Sequence, residues 1–161
     1  MDDHTRILEQ LRLTYEGEPW YGPSLLAALD GVDARIAAMR PVPSAHTIWE
    51  IVRHVAVWNM AVRRRLGGEI VDYDGVSDWP PVTATTGAAW LATLDVLAQS
   101  QRALDRLLLA MPAAALYETV PGKRYTAAFM LHGLTQHVAY HAGQIALLAR
   151  AAREDGAGGA G

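Results

Sequence analysis

Gln136-His137-Val138-Ala139-Tyr140-His141-Ala142-Gly143-Gln144-Ile145 is the stretch whose reading decides the fold. Its two histidines stand four residues apart in a segment that otherwise reads as helix. Four steps of about 100° bring the second side chain back to about 40° from the first, one turn along. Both imidazoles then reach one point, the i, i+4 geometry by which a helix gives two nitrogens to one metal ion. The same stripe carries Met130, Leu134, Ile145 and Leu148, so the histidines stand where a core would place Leu or Ile. An unsatisfied imidazole in an aliphatic core costs roughly 1–3 kcal/mol, so something must pair with it: core polar groups, buried water or a metal.

Outward from this stretch the helix spans about Thr126 to Arg153, and a Gly/Ala-rich tail from Asp155 to Gly161 is expected to be disordered. Upstream, Trp90, Leu94, Leu97, Gln101, Leu104, Leu108 and Met111 trace a helix from about Thr86 to Ala110, closed by Pro112. Before it lies the longest irregular stretch, 67–84, where Trp79 is expected to pin the loop to the bundle. Thr47-Ile48-Trp49-Glu50 fits a capping box and opens a helix with Ile48, Ile51, Val55, Trp58 and Val62 on its buried stripe. Ser24 to Met39 reads as another helix, with Gly31 a candidate break, and residues 2 to 16 as an amphipathic N-terminal helix stopped at Gly17. The expected fold is all-α: a four-helix bundle with an additional N-terminal helix and a long loop between its second and third helices, one domain over 1–154.

His54 lies three residues after Ile51 and four before Trp58, on the inward side of its helix. A third inward histidine on a facing helix is what a bundle metal site needs. Three imidazoles without a fourth protein ligand leave positions open, as in catalytic rather than structural sites. Gln144, three residues after His141, is placed to orient an imidazole, and Trp58 and His46 are placed to wall the pocket. His4 is expected to be exposed, and His132 points away from His137 by roughly 140°. Glu50 is occupied by its cap. Arg63-Arg64-Arg65 spans nearly a full turn, so the three cannot all point one way; the run is a solvated face or a lure for an anion.

Composition narrows the chemistry. The chain has 161 residues, 51% of them apolar, a single Phe and a formal charge of -3, which argues against a nucleic-acid binder. There is no cysteine, so the ligands must be nitrogen or oxygen and any thiol must come from outside. No apolar run approaches the ~18–20 residues of a membrane span, and the start Met-Asp-Asp-His lacks a signal pattern. A cytoplasmic protein is expected.

The segments His46-Thr47-Ile48-Trp49-Glu50-Ile51-Val52-Arg53-His54 and Gln136 to Ile145 resemble the DinB-like superfamily of metal-binding four-helix proteins. So do Trp20-Tyr21-Gly22-Pro23-Ser24-Leu25-Leu26 and Arg64-Arg65-Leu66-Gly67-Gly68-Glu69. The resemblance runs from about residue 17 to 150. It implies a divalent metal, zinc or nickel, held by three histidines that map onto His54, His137 and His141, and it implies a homodimer. Activities in the family vary between transferases or isomerases that use bacillithiol, mycothiol or glutathione and proteins described as metal-dependent hydrolases. Two readings follow. One is a metal-dependent enzyme on a small molecule, activating an external low-molecular-weight thiol or water. Hydrolysis would need a general base, for which the loop offers Glu69, Asp72, Asp74 and Asp78. The other is a non-enzymatic metal-binding or dimerisation module whose histidines are satisfied core groups.

Overall fold

Asp2, Ser24, Asp33, Thr47 and Thr86 each turn a side-chain oxygen onto a backbone N–H of the first helical turn that follows, and these five caps set where helices begin. The computed structural model describes residues 2–72 and 75–158. Its helices are α1 (Asp3–Glu16), α2 (Leu25–Ala28), α3 (Ala34–Ala38), α4 (Ile48–Leu66), α5 (Gly75–Asp78), α6 (Gly87–Ala110) and α7 (Ala127–Gly158), with a 3₁₀ turn at Ala113–Tyr117. At α4 the capping box is complete: Thr47 Oγ1 accepts from Glu50 N at 3.2 Å and Glu50 Oε2 accepts from Thr47 N at 2.7 Å. Glu50 also takes both oxygens to Arg40 at 3.0 Å.

The protein is an all-α four-helix bundle. The long helices α1, α4, α6 and α7 form a ring in which α4 lies beside α6 and α7, and α1 lies beside the same two. The sequence-based roles of two segments are exchanged. The N-terminal helix, expected as an addition, is one of the four, while 24–39 supplies only two short helices, α2 packed on α1 and α7 and α3 on α4, α6 and α7. The reason is local. Gly31 adopts φ +66°, a left-handed conformation that ends the first piece, and Asp33 caps a new start. The 67–84 stretch is a loop carrying the short helix α5. α7 runs to Gly158, so residues 155–158, expected in a disordered tail, continue the helix after Ala151 and Ala152. Residues 159–161 lie outside the described ones.

The core is aliphatic. Leu25, Ile51, Val55, Leu97, Leu104, Leu131 and Ile145 are fully buried, whereas the single phenylalanine, Phe129, is exposed. Two tryptophans lock the interior to its frame: Trp49 Nε1 donates to Thr93 Oγ1 and Trp90 Nε1 to the Val32 carbonyl, both at 2.9 Å. Burying an indole with its N–H satisfied keeps the apolar gain without a desolvation penalty. On the facing side of the core, α4 and α7 bring the histidine-bearing stripes together. Among the described residues no helix is long and apolar enough to cross a membrane.

Candidate metal centre

His54 on α4 and His137 and His141 on α7 meet between these two helices. His137 Nε2 lies 2.9 Å from His54 Nε2 and 3.1 Å from His141 Nε2, and the three donor atoms lie within 4.8 Å of one another. His54 and His141 are buried and His137 is half-buried.

The outer nitrogens decide which way the lone pairs face. His54 Nδ1 lies 2.9 Å from the Asp78 carbonyl oxygen and 3.0 Å from Asp78 Oδ1. His141 Nδ1 lies 2.7 Å from Gln144 Oε1, and Gln144 Nε2 donates in turn to Tyr140 OH at 2.9 Å. Those oxygens only accept, so both Nδ1 atoms carry the proton and both Nε2 atoms carry a lone pair. Both lone pairs point at His137 Nε2. A proton on His137 Nε2 would leave its buried Nδ1 an acceptor with no donor; a proton on Nδ1 would leave a buried donor with no acceptor, since that atom has no partner. In the second case three lone pairs converge, an arrangement that repels unless a cation lies among them.

Electrostatics keep these groups in the donor form. Desolvation pushes His137 down to about 3, helped by repulsion from His141 and His54. Desolvation likewise pushes His141 down to about 4, opposed by the hydrogen bond that its Nδ1–H donates to Gln144 Oε1. Burial also lowers His54, opposed by Asp78. All three are neutral at pH 7. The set fits a divalent ion: neutral nitrogen donors whose Nε2 atoms converge, with two separations of 2.9 and 3.1 Å. Donors about 2.0–2.1 Å from a shared ion stand roughly 2.9–3.4 Å apart at angles of about 90–110°.

The loop after α4 closes over His54. Trp79 stacks between His46 and His54, with ring centroids at 3.6 and 3.8 Å and planes 4° and 5° apart. Asp78 Oδ1 also accepts from Trp58 Nε1 at 2.6 Å. Asp78 is thus a positioning residue on the far side of His54, although its sequence reading was as one of several possible bases. The other loop carboxylates are occupied: Glu69 by Arg64 and Asp72 by Lys123. Asp74 lies outside the described residues. His46 packs on Trp79 at the mouth of a cavity of about 410 Å³ that reaches His141. Trp58 borders a second cavity, about 260 Å³, that reaches His137. His132 is exposed. His4, expected exposed, is half-buried, with Nε2 2.9 Å from the Leu108 carbonyl.

Trp79 pins the loop to the bundle as its place in the sequence suggested, but neither its position between His46 and His54 nor the grip of Asp78 on His54 was legible. Both residues stand in an aperiodic loop, where spacing carries no directional information. Tyr140, which anchors Gln144, was legible in principle, because the two are four residues apart on one helix.

Comparison with protein families finds the DinB superfamily over residues 23–145. The chain belongs to the DinB superfamily. The matched span holds His54, His137, His141, Asp78, Trp79 and Gln144. Helix α1 lies before it, so the DinB superfamily match covers α4 and α6 whole and α7 as far as Ile145. Comparisons with curated proteins and with solved structures give no match.

Proposed function

We propose that His54, His137 and His141 hold one divalent metal ion, zinc or nickel, and that this DinB-superfamily protein is a metal-dependent enzyme acting on a small molecule. The observation that carries the reading is the convergence on His137 Nε2 of the lone pairs that Asp78 and Gln144 force onto His54 Nε2 and His141 Nε2. Such a cation, with positions left open, supplies Lewis acidity that lowers the pKa of a coordinated external thiol or water.

The residues of this chain do the rest. Asp78 and Gln144 hold two imidazoles in the donor tautomer. Trp79 and Trp58 cover His54 with aromatic surface and limit water. Among the described residues the one carboxylate against the triad, Asp78, is engaged by Trp58 and by His54 Nδ1, on the side away from Nε2. A water-activating base is therefore not supplied by that residue, which favours an external low-molecular-weight thiol (S-transfer) over hydrolysis. The absence of cysteine supports the same choice, since no protein thiol competes. We further propose a cytoplasmic homodimer; the exposed Trp20, Tyr21 and Leu26 offer apolar surface for association.

Untagged protein is expected to carry close to one zinc or nickel per chain and to lose it in His137→Ala. Absence of metal from the wild type, with the variant merely destabilised, returns the histidines to a core role. The metal-loaded protein is then offered bacillithiol, mycothiol or glutathione with a generic electrophile. No thiol-dependent turnover eliminates S-transfer.

A further inference from the structure

The three consecutive arginines at the end of α4 part company in the fold. Arg63 is exposed and Arg64 pairs with Glu69 at 2.7 Å, but Arg65 is buried, with 5% of its surface accessible. Arg65 Nε and Nη2 both donate to the Val71 carbonyl, at 3.0 and 2.7 Å, and its guanidinium lies 5.4 Å from the centroid of Trp58. Among the described residues no carboxylate pairs with it. Asp72, which feels its charge, is bonded to Lys123. One carbonyl dipole does not neutralise a guanidinium, and a charge this buried ordinarily has a counter-ion.

Arg65 also stands on the wall of the cavity of about 260 Å³ that reaches His137. Trp58, Val62, Tyr125 and Phe129 make the rest of that wall apolar and aromatic. A space below the ~300–1,000 Å³ of drug-sized pockets suits a single ring or a short chain.

We propose that this cavity binds a small apolar carboxylate, its hydrocarbon part among Trp58, Tyr125 and Phe129 and its anionic end on Arg65, beside His137. The claim that the occupant is the substrate rests on the metal reading above; the binding itself does not. The ligand supplies the anion that Arg65 lacks among the described residues, in a setting where a charge-assisted hydrogen bond is strengthened by exclusion of water.

The test uses 3-phenylpropionate and its uncharged isostere 3-phenylpropionamide. Binding is measured by calorimetry and tryptophan fluorescence on chelator-treated and on zinc-loaded protein. The acid is expected to bind metal-free protein on the order of 10- to 100-fold more tightly than the amide. Arg65→Met should remove that preference and Arg65→Lys restore part of it. Because Arg65 also tethers Val71, a second variant guards against misfolding. A Cβ built at Gly133, on the same wall, meets nothing within 4 Å, so Gly133→Leu should fill the cavity and abolish binding of both compounds with the thermal midpoint undiminished. Equal affinities for acid and amide, no binding of the acid, or unchanged binding in Gly133→Leu each overturn the proposal. Acid binding that requires zinc and ignores Arg65 also overturns it, while leaving the metal reading intact. Arg65-dependent binding to a protein that takes up no zinc supports the site and removes its substrate role.

Discussion

Metal-free protein taken from pH 8 to pH 5 is expected to lose about 3 kcal/mol of stability through two histidines. The folded-state values of His137 and His141 are about 3 and about 4, against 6.5 for an ordinary imidazole. As pH falls through 6.5 the unfolded chain binds a proton at each position and the folded chain does not. The unfolded state is therefore favoured on acidification: stability is complete above the unfolded value and declines below it, until the folded values are reached. At pH 5 an unfolded imidazole is about 97% protonated, which corresponds to about 2 kcal/mol per group that stays neutral. That figure depends on the folded values lying below 5, and hardly on how far below. The half-exposure of His137 reduces the sum for the pair to about 3 kcal/mol. His54 is lowered in the same direction and adds to the trend. The lowered carboxylates Asp2, Glu50 and Asp72 lose their contribution only as pH falls below their ordinary values of 3.8 to 4.5, and Asp105, raised by burial, works in the opposite sense, so the loss between pH 8 and 5 belongs to the imidazoles.

The assay is urea unfolding of chelator-treated protein at pH 8, 7, 6 and 5, with the transition slope checked for constancy. A loss of about 3 kcal/mol is a large share of the roughly 5–15 kcal/mol typical of a domain. The double variant His137→Leu/His141→Leu should flatten the profile to less than about 1 kcal/mol over the same range, since leucine fills the stripe without a titrating group. A flat wild-type profile, or an equally steep one in the double variant, would refute the buried-neutral assignment. Added zinc should hold stability level to lower pH, because metal and proton compete for the same lone pairs.

Gln144→Leu removes the acceptor from His141 Nδ1 and should weaken zinc binding about 10- to 100-fold in chelator competition; the buried N–H left without an acceptor should also cost the metal-free protein about 1–3 kcal/mol in urea unfolding. Asp78→Ala should cost about tenfold, the lower end of that range, because the Asp78 backbone carbonyl still accepts from His54. Thr47→Ala breaks the capping box and should cost about 1 kcal/mol in urea unfolding without altering zinc affinity.

What was legible in the sequence were the features with a period. The i, i+4 histidines, the buried stripe of α4 with His54, and the Thr47/Glu50 box all lie on helices, where spacing fixes direction. The all-helical bundle followed from the same stripes. The membership of α1 in the ring did not, because a short amphipathic helix has the same pattern whether it completes a bundle or rides on one. The division of 24–39 at Gly31 was visible as a candidate break, but the positive φ that makes it a break is a tertiary outcome. The three arginines were read as a run that could not face one way. Which of them turned inward depended on Val71 and Trp58, one in a loop and the other on a different turn of α4.

The site's dependence on the loop has a physical consequence. Two of the three histidines come from one rigid helix, and their spacing survives any motion of that helix as a body. The third, His54, is set by α4 at its backbone but by Asp78 and Trp79 at its ring. An imidazole free to rotate about its side-chain torsions presents Nε2 or Nδ1 to the centre with little intrinsic preference. The Asp78 oxygens remove that freedom by accepting from Nδ1, and the Trp79 ring, held against His46 on its other face, removes the remaining tilt. The geometry of the triad is thus controlled at its least helical point. A ligand in the Arg65 cavity would press on Trp58, which shares the Asp78 carboxylate with His54, so occupancy there reaches His54 through two hydrogen-bonded side chains, Trp58 and Asp78.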